Sequence, residues 1–332
     1  MATRIFSGIQ PTGTLHIGNY FGALRNWATL QHEIPGIYCV VDYHAITIDV
    51  DPQELRDASK SMAMDMIAAG IDPETSIVFV QSDVPAHTEL AWILGCVTSY
   101  GDLGRMTQFK DKSSKQKFIS AGLLTYPILQ AADILIYKAD GVPVGEDQAQ
   151  HLELSRRIAR RFNGRFGEFF PEPEAIIRKG ARIMSLADPG RKMSKSEGEN
   201  HYVGVFEEEA SIRKKVRSAV TDTGLEAGDK MSAGVENLFE ILELSCEELG
   251  DADVVGELKA EFTAGTLMYS KLKDAVFEQL MSVLRPIQER RAALEAAGEI
   301  DGILADGAKK AQAIAAETMA EVRKLVGLGT SG

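Results

Sequence analysis

The sequence predicts an α/β fold: a doubly wound parallel sheet of the Rossmann type, followed by an all-helical C-terminal region. Three observations lead to this class. Short apolar runs alternate with amphipathic segments of helical length, which is typical of a parallel sheet covered on both faces. A glycine-bearing turn joins the first apolar run to the first helix. Beyond about residue 200, segments rich in Ala, Glu, Lys, Leu and Arg follow one another with few strand signals.

Local patterns support each element of this fold. Apolar runs at 4–7, 37–41 and 77–80 predict buried strands. The helix expected up to Gly70 begins at Asp51-Pro52-Gln53-Glu54, where an N-cap, a first-turn proline and a capping-box glutamate coincide. The other expected helices lie near 19–30, from about 85, around 126–133, and over 148–162, 206–219, 232–246, 265–298 and 301–325. Two further short strands are expected, near 142 and at 182–184.

We expect two regions along the chain. Residues 1–200 form the Rossmann-type catalytic domain, with a helical insertion around 101–170 that begins in a polar, lysine-rich stretch. Residues 201–332 form the helical region. Neither an internal repeat nor a low-complexity linker marks the boundary, so the change in composition alone locates it.

Composition restricts the class of protein. The 332 residues are 45% hydrophobic, enough for a substantial core, while the net charge is −12 and the pI about 5.1. A chain this acidic contacts nucleic acid only through local basic patches, such as those at 156–165, 191–195 and 213–217. No apolar run reaches the roughly 18 residues of a membrane-spanning helix and no signal-peptide core follows Met1, so we expect a cytoplasmic protein.

The cysteines indicate neither disulfide nor metal chemistry. Cys39, Cys96 and Cys246 are far apart, odd in number and free of any Cys-x-x-Cys pairing. Such spacing is typical of reduced structural thiols. We therefore predict no disulfide framework and no protein-bound metal.

The turn from Gly8 to Asn19 has the features of a phosphate-binding loop. Gly8 and Gly13 permit close approach of the backbone, Pro11 stiffens the turn, and the helix that follows offers free N–H groups and a positive dipole end to an anion. The loop also follows a strand directly, and open α/β sheets bind ligands at the carboxyl ends of their strands. A nucleoside triphosphate fits this site.

A second motif, Lys192-Met193-Ser194-Lys195-Ser196, lies between Gly190 and Gly198, a placement suited to a mobile lid. Together with His16-Ile17-Gly18-Asn19, it resembles the paired signatures of the class I aminoacyl-tRNA synthetases. Asn19 stands where the family pattern has a second histidine, so an amide takes the place of an imidazole. The resemblance covers essentially the whole chain, through the further segments Asp42-Tyr43-His44-Ala45-Ile46-Thr47, Ala131-Ala132-Asp133-Ile134-Leu135 and Val144-Gly145-Glu146-Asp147-Gln148.

The resemblance implies an ATP-dependent ligase that joins an amino acid, here tryptophan, to its tRNA through an aminoacyl-adenylate. It implies Mg²⁺ held largely by the phosphates, a homodimer, and an anticodon reader in the helical region. The catalytic residues would be His16, Asn19, Lys192 and Lys195, with the lysines stabilising charge on the departing pyrophosphate. Glu146 and Asp147 would face the ribose, and the backbone near Ile183 the adenine. The full ATP-binding set would be Gln10, Pro11, Thr12, Gly18, Asn19, Gly145, Glu146, Asp147, Ile183, Lys192, Met193, Ser194, Lys195 and Ser196.

The amino-acid site needs an apolar slot with one acceptor for the indole N–H. Tyr126, Gln130 and Asp133 share one face of a predicted helix, where a buried aspartate needs a partner, and a nearby backbone group or arginine would serve as well as a ligand. The resemblance implies that Asp133 is the acceptor for the indole N–H. It frames the slot with Phe6, His44, Tyr126, Val142, Val144 and Gln148. Gln130 stands where an apolar residue is expected.

Three alternatives remain open from the sequence. A tyrosine-specific synthetase shares the motifs, and Asp133 could equally accept a phenolic hydroxyl. A small-molecule nucleotidyltransferase uses a similar His-x-Gly loop but would not need the long helical half. A non-catalytic relative that senses tRNA or tryptophan would fit the fold, although the intact His16, Lys192 and Lys195 argue against it.

Overall fold

A parallel five-stranded sheet lies at the centre of the N-terminal part. The computed structural model describes residues 3–113, 118–145, 148–176, 182–221, 231–251 and 253–329, with backbone alone at 111–113. The strands are β1 (Ile5–Ile9), β2 (Gly36–Val40), β3 (Ile77–Val80), β4 (Gly141–Pro143) and β5 (Glu174–Ile176). Their order is β3-β2-β1-β4-β5, and each neighbouring pair runs parallel. The order reverses between β1 and β4, which makes that junction the switch point of the sheet.

Helices follow the strands and then form the rest of the chain. The first helical stretch is interrupted by a π-helical turn over Tyr20–Leu24. The helices are α1 (Ile17–Asn19), α2 (Arg25–Leu30), α3 (Asp42–Ala45), α4 (Pro52–Ala68), α5 (Ala86–Gly95), α6 (Tyr100–Gly104), α7 (Thr107–Ser113), α8 (Ala121–Leu135), α9 (Ala149–Phe166), α10 (Glu209–Ser218), α11 (Ala233–Leu249), α12 (Asp253–Thr263), α13 (Tyr269–Ala297) and α14 (Ile300–Val326). The predicted fold class, a doubly wound sheet followed by a helical region, is confirmed.

Alternate residues of the strands belong to two separate apolar clusters, one on each face of the sheet. Tyr38, Val40 and Val78 pack into the first cluster with α2, α4 and the helices after residue 209. Cys39 and Phe79 pack into the second cluster with α5, α8 and α9. Because successive strand residues point to opposite faces, this division follows directly from the apolar runs.

One local prediction was wrong, and two elements were not predicted. The strand expected at 182–184 is a single antiparallel bridge between Met184 and Lys192, outside the sheet. The fifth strand is instead Glu174–Ile176, whose side chains are mostly exposed and therefore lack the apolar signature of a buried strand. The acidic segment Asp253–Thr263 is an additional helix, α12, that composition alone did not indicate.

The last helix crosses the free edge of β3. Ile300 and Leu304, in its first turns, belong to the first cluster, whereas Ala311 and Met319 belong to the second. Gly307 lies between them, where a Cβ would overlap the carbonyl oxygen of Val78 in β3. Helix α14 thus covers a strand edge that would otherwise be open to pairing. Among the described residues, no helix combines the length and apolar character that a bilayer span requires.

Candidate active site

The two signature motifs lie beside the carboxyl end of β1, next to the switch point. After β1 the chain passes through Gln10 and Thr12, which are exposed, and Pro11, which is buried. Residues 15–17 then pair with a later segment, since Ile17 N–H donates to Val203 O and Val205 N–H donates to Leu15 O, both at 2.9 Å. This pairing fixes the loop before the first helix begins.

Asn19 stabilises the start of that helix. Its amide oxygen accepts a hydrogen bond from the His16 backbone N–H at 3.2 Å. Because this oxygen bonds the loop backbone, Asn19 would contact a phosphate through its amide nitrogen. Asn19 and Gly18 are both half-buried beside His16.

The His16 ring is buried in a positively charged environment. Burial lowers the pKa of His16, and the charges of Lys195 and Lys192 lower it further, to about 4. The imidazole is therefore neutral at pH 7. Its Nδ1 is buried without a hydrogen-bond partner among the described residues. A Cβ at Gly18 would lie 2.9 Å from this nitrogen, so the glycine preserves the space that the ring occupies.

The lysine motif follows a hairpin. Met193 N–H donates to Ile183 O at 3.1 Å, and Ser185 N–H donates to Arg191 O at 2.8 Å. Met193 and Ile183 are buried and anchor the hairpin, whereas Lys192 is exposed. Beyond it, the Ser194 and Ser196 hydroxyls lie 2.9 Å apart at the start of a short 3-10 turn, Lys195–Glu197.

Lys195 joins the two motifs. Its ammonium nitrogen donates to the backbone oxygen of Thr12 at 2.9 Å. Gly13 has a φ of +71°, and a Cβ there would overlap the Lys195 side chain. Burial lowers the pKa of Lys195. The geometry therefore brings His16, Lys192 and Lys195 to one side of the same loop, as the phosphate hypothesis requires.

The segment predicted to face adenine is held by the helical region. The side chain of Asn237, on α11, accepts from Met184 N–H at 2.8 Å and donates to Met184 O at 3.0 Å. Met184 follows Ile183 directly, so one buried asparagine fixes both backbone polar groups beside the predicted adenine contact. The sequence did not single out Asn237, because an asparagine within an amphipathic helix carries no local signal.

The predicted ribose contacts can be placed only in part. Glu146 and Asp147 lie outside the described residues. Gly145 is exposed at the end of β4, and its carbonyl oxygen accepts from Gln148 N–H at 3.0 Å. The described flanks thus lie at the carboxyl end of β4, across the switch point from the loop after β1.

Asp133 lies at the centre of a buried polar network beyond the carboxyl ends of β2 and β3. Its Oδ2 accepts from His44 Nε2 at 2.7 Å. Its Oδ1 accepts from Gln81 Nε2 and from His87 Nδ1, both at 2.6 Å. The carboxyl is 1% exposed. Burial by itself raises its pKa, but the hydrogen bonds from His44 and His87 outweigh this effect and lower the pKa to about 2. Asp133 is therefore a carboxylate at pH 7.

Of the residues predicted to frame the slot, His44 contacts this carboxylate directly, and the others are linked to its neighbours or belong to the apolar cluster on the same face. The His44 ring meets Tyr126 edge-on at 6.3 Å, and the Tyr126 hydroxyl lies 2.8 Å from His151 Nε2. Gln130 Nε2 donates to Gln148 Oε1 at 3.4 Å, which ties the unexpected Gln130 to a predicted slot residue. Phe6 and Val142 belong to the apolar cluster on this face, and Val144 packs against it.

Comparison with known proteins decides the family. Residues 1–285 match the profile of the family described as tRNA synthetases class I (W and Y). The chain is 45% identical, over 99% of both chains, to the tryptophan–tRNA ligase of Halalkalibacterium halodurans. The chain belongs to the class I tRNA synthetases.

Solved structures agree with this assignment. The tryptophanyl-tRNA synthetase of Mycoplasma pneumoniae superposes with a TM-score of 0.88 at 35% identity and covers 99% of both chains. That of Campylobacter jejuni, in complex with ADP and tryptophan, gives 0.85 at 35% identity, covering 98% of this chain and all of that one. Membership of the class I tRNA synthetases removes the small-molecule nucleotidyltransferase from the alternatives.

Three polar residues of this class I tRNA synthetase were missed from the sequence, namely Gln81, His87 and Tyr137. All three are fully buried. Gln81 follows β3 directly, so its position at the carboxyl end of a strand was a usable signal. His87 and Tyr137 carry none, because each lies in an apolar segment where a satisfied core residue is the commoner case.

Proposed function

We propose that the chain is a tryptophan–tRNA ligase. It activates L-tryptophan with ATP, forming tryptophanyl-adenylate and pyrophosphate, and then transfers tryptophan to the terminal ribose of its tRNA. The choice of amino acid rests on Asp133, a buried carboxylate that already accepts hydrogen bonds from three neighbouring side chains.

The hydrogen bonds of Asp133 favour tryptophan over tyrosine. A carboxylate accepts about four hydrogen bonds, and Asp133 already accepts three. The one remaining place suits an indole N–H, which only donates. A phenolic hydroxyl donates too, but its oxygen also needs a donor, and each of the three donor groups around Asp133 already directs one hydrogen at the carboxylate. A buried oxygen left without a partner costs about 1 to 3 kcal/mol, which disfavours tyrosine.

In the first step the tryptophan carboxylate attacks the α-phosphorus of ATP and pyrophosphate leaves. No covalent enzyme intermediate is needed, so positioning and charge stabilisation supply the catalysis. Lys192 and Lys195 act on the charge of the departing pyrophosphate. His16, Gly18 and Asn19 hold the nucleotide from the side of the first helix. Gln10, Pro11 and Thr12 line the entry.

The remaining ATP contacts follow from the same placement. The Ser194 and Ser196 hydroxyls donate to phosphates, Met193 and Ile183 hold the adenine side, and Gly145, Glu146 and Asp147 take the ribose. Mg²⁺ enters with the phosphates of ATP. Among the described residues no group of three His, Cys, Asp or Glu could hold a metal ion, and Mg²⁺ at such sites is usually held by substrate phosphates and water.

In the second step the terminal ribose of tRNA attacks the aminoacyl carbonyl and AMP leaves. By the class I pattern the attacking group is the 2′-hydroxyl. We assign anticodon recognition to the helical region after residue 200. Helix α14 packs on the sheet for much of its length, so α10 to α13 offer the larger free surface for RNA. Because aminoacylation takes place in the compartment that contains the tRNA, we infer a cytoplasmic enzyme.

A homodimer is the assembly we propose. Trp92, on α5, and Tyr100, on α6, are 77% and 78% exposed, and Phe118 is 81% exposed. Large aromatic side chains exposed together in one part of the chain are typical of a protein interface. Light scattering at micromolar concentration should give twice the chain mass, and Trp92→Lys should shift the protein to the monomer. A monomeric wild type would refute the assembly.

Amino-acid-dependent ATP–pyrophosphate exchange tests the function. We expect tryptophan, among the standard twenty amino acids, to support the fastest exchange. Faster exchange with tyrosine would show that the amino acid is wrong, and no exchange at all would favour a non-catalytic relative. Asp133→Asn should raise the KM for tryptophan and leave the KM for ATP nearly unchanged, whereas an equal loss of both would indicate a structural aspartate.

A further inference from the structure

A hydrogen-bonded chain extends from Asp133 into the core, away from the slot. His87 Nδ1 lies 2.6 Å from Asp133 Oδ1, and His87 Nε2 lies 2.7 Å from the Tyr137 hydroxyl. His87 and Tyr137 have no exposed surface. Neither belongs to the predicted site, and neither is placed to touch ATP or the amino acid. Their hydrogen bonds reach the site through the carboxylate, and the Tyr137 ring also stacks on Phe6.

Chemistry fixes the direction of these hydrogen bonds. An ionised Asp133 can only accept, so His87 carries a proton on Nδ1. A neutral imidazole then has a lone pair on Nε2, and the Tyr137 hydroxyl donates to it. Burial raises the pKa of Tyr137, so the phenol keeps the proton that this bond requires. The carboxylate thus selects the His87 tautomer, and the Tyr137 hydroxyl, bonded to Nε2, anchors the ring so that Nδ1–H faces Asp133.

The opposite tautomer would place a lone pair against Asp133 Oδ1. Two acceptors at 2.6 Å repel each other, so the carboxylate would turn or draw a proton. Either change alters Oδ2, the oxygen that His44 and the ligand share. The orientation of the acceptor in the slot thus depends on how the His87 ring is held, and the Tyr137 hydroxyl is the group that anchors that ring.

Packing holds the Tyr137 ring independently of its hydroxyl. The ring stacks on Phe6 at 5.7 Å with an interplanar angle of 13°, and it meets Phe79 edge-on at 5.9 Å. Removal of the hydroxyl alone should therefore leave the ring, and Phe6 at the slot, in place. This makes Tyr137→Phe a specific probe of the hydrogen bond.

We propose that His87 and Tyr137 are positioning residues that hold Asp133 as an acceptor-only carboxylate and thereby set the selectivity of the amino-acid site. The proposal rests on the proposed function, because it assigns the selective acceptor to Asp133. It adds two residues that act without contacting the substrate. The ligand class is an aromatic amino acid with a ring donor and no ring acceptor.

The chain offers a matched control on the opposite face of the sheet. Tyr38 is also fully buried, and its hydroxyl also makes one hydrogen bond, to Trp27 O at 3.0 Å. Its ring also stacks on an aromatic neighbour, Trp27, at 5.5 Å. Tyr38→Phe therefore removes the same group from the same kind of environment, but in the first apolar cluster, away from Asp133.

Pyrophosphate exchange on the full-length protein tests the proposal. For Tyr137→Phe we expect the KM for tryptophan to rise roughly 5- to 30-fold, with kcat within about 3-fold and the KM for ATP unchanged, and we expect discrimination against tyrosine to fall. Tyr38→Phe should keep wild-type constants. A wild-type KM for tryptophan in Tyr137→Phe would overturn the proposal, as would a parallel loss in kcat and in both KM values.

Two variants of His87 separate positioning from packing. His87→Asn can keep a donor near the position of Nδ1, whereas His87→Leu cannot. We expect the asparagine variant to recover part of the tryptophan KM that the leucine variant loses, and equal constants in the two would count against the proposal. If the wild type activates tyrosine in preference, the proposed function fails. The positioning role is then decided by whether Tyr137→Phe raises the KM for tyrosine alone.

Discussion

The ammonium nitrogen of Lys195 lies 2.9 Å from the backbone oxygen of Thr12, although the two residues are 183 positions apart. This bond joins the loop after β1 to the lysine hairpin. A phosphate oxygen is a stronger partner for an ammonium group than a neutral carbonyl is, since charge-assisted bonds are shorter and stronger. In the proposed mechanism, Lys195 can therefore exchange its bond to Thr12 for one to the departing pyrophosphate.

Replacement of Lys195 should act on the rate of activation. Lys195→Ala should lower the rate of adenylate formation by about two or more orders of magnitude and leave the affinity for tryptophan nearly unchanged, because the lysine stabilises charge in the transition state. Pre-steady-state adenylate formation and tryptophan titration measure the two quantities. Lys309→Ala, which removes an exposed lysine of α14, is the control. A wild-type rate for Lys195→Ala would refute the assigned role.

Gly13→Ala should mimic part of this loss without replacing a charged residue. The new Cβ would occupy the space of the Lys195 ammonium, and φ at this position is +71°, which an L-residue adopts at a cost of about 1 kcal/mol. Because the end of a lysine side chain is flexible, we expect it to leave Thr12 rather than unfold the loop. The activation rate should fall about 10-fold or more while the melting temperature changes by a few degrees at most. A large loss of stability at an unchanged rate would contradict this interpretation.

Asn237 connects the helical region to the predicted adenine contact. Asn237→Ala removes both hydrogen bonds to Met184 and should cost about 1 to 3 kcal/mol of unfolding free energy. It should also raise the KM for ATP about 10-fold while sparing tryptophan. Asn163→Ala is a matched control, since the Asn163 side chain also bonds buried backbone, at Phe170. The control should lose stability but keep its KM for ATP, and an equal ATP effect in both would show that only stability matters.

His16 makes the stability depend on pH. Its folded-state pKa of about 4 lies below the ordinary value of 6.5, so the unfolded chain binds more protons between these values. The free energy of unfolding should therefore fall as pH drops from about 6.5 towards 4, by roughly 1 to 2 kcal/mol at pH 5 relative to pH 8. His16→Gln should show a shallower decline. Denaturant titrations at both pH values measure the difference, and parallel curves would exclude the assignment.

Much of the fold could be predicted because strong local signals coincide with it. The run Ile77–Val80 is a strand with the predicted bounds, and the capping residues after Asp51 locate the start of α4. The fifth strand was missed because Glu174–Ile176 is an exposed edge strand without an apolar run. Edge strands owe their place to hydrogen bonds with a neighbour, which a linear pattern does not encode.

The residues of the candidate site also divide into those that the sequence predicted and those that it did not. His16, Lys192 and Lys195 were found because their motifs are contiguous in sequence. His87, Tyr137 and Asn237 were not found, since each acts through a residue far away in the chain. Their polar atoms lie in apolar surroundings, where only the fold reveals a partner. Contiguous motifs thus indicate the groups that we propose contact substrate, while the groups that orient such residues become visible only in three dimensions.

The path of α14 has a consequence for synthesis on the ribosome. Residues 300–326 lie over β3, and Gly307 meets the backbone of Val78 so closely that no side chain would fit between them. A nascent chain that has emerged only as far as the lysine hairpin therefore contains both nucleotide motifs, but the free edge of β3 is still uncovered. We infer that the sheet is closed only after α14 has emerged, and that translation stalled before this point would yield an aggregation-prone product.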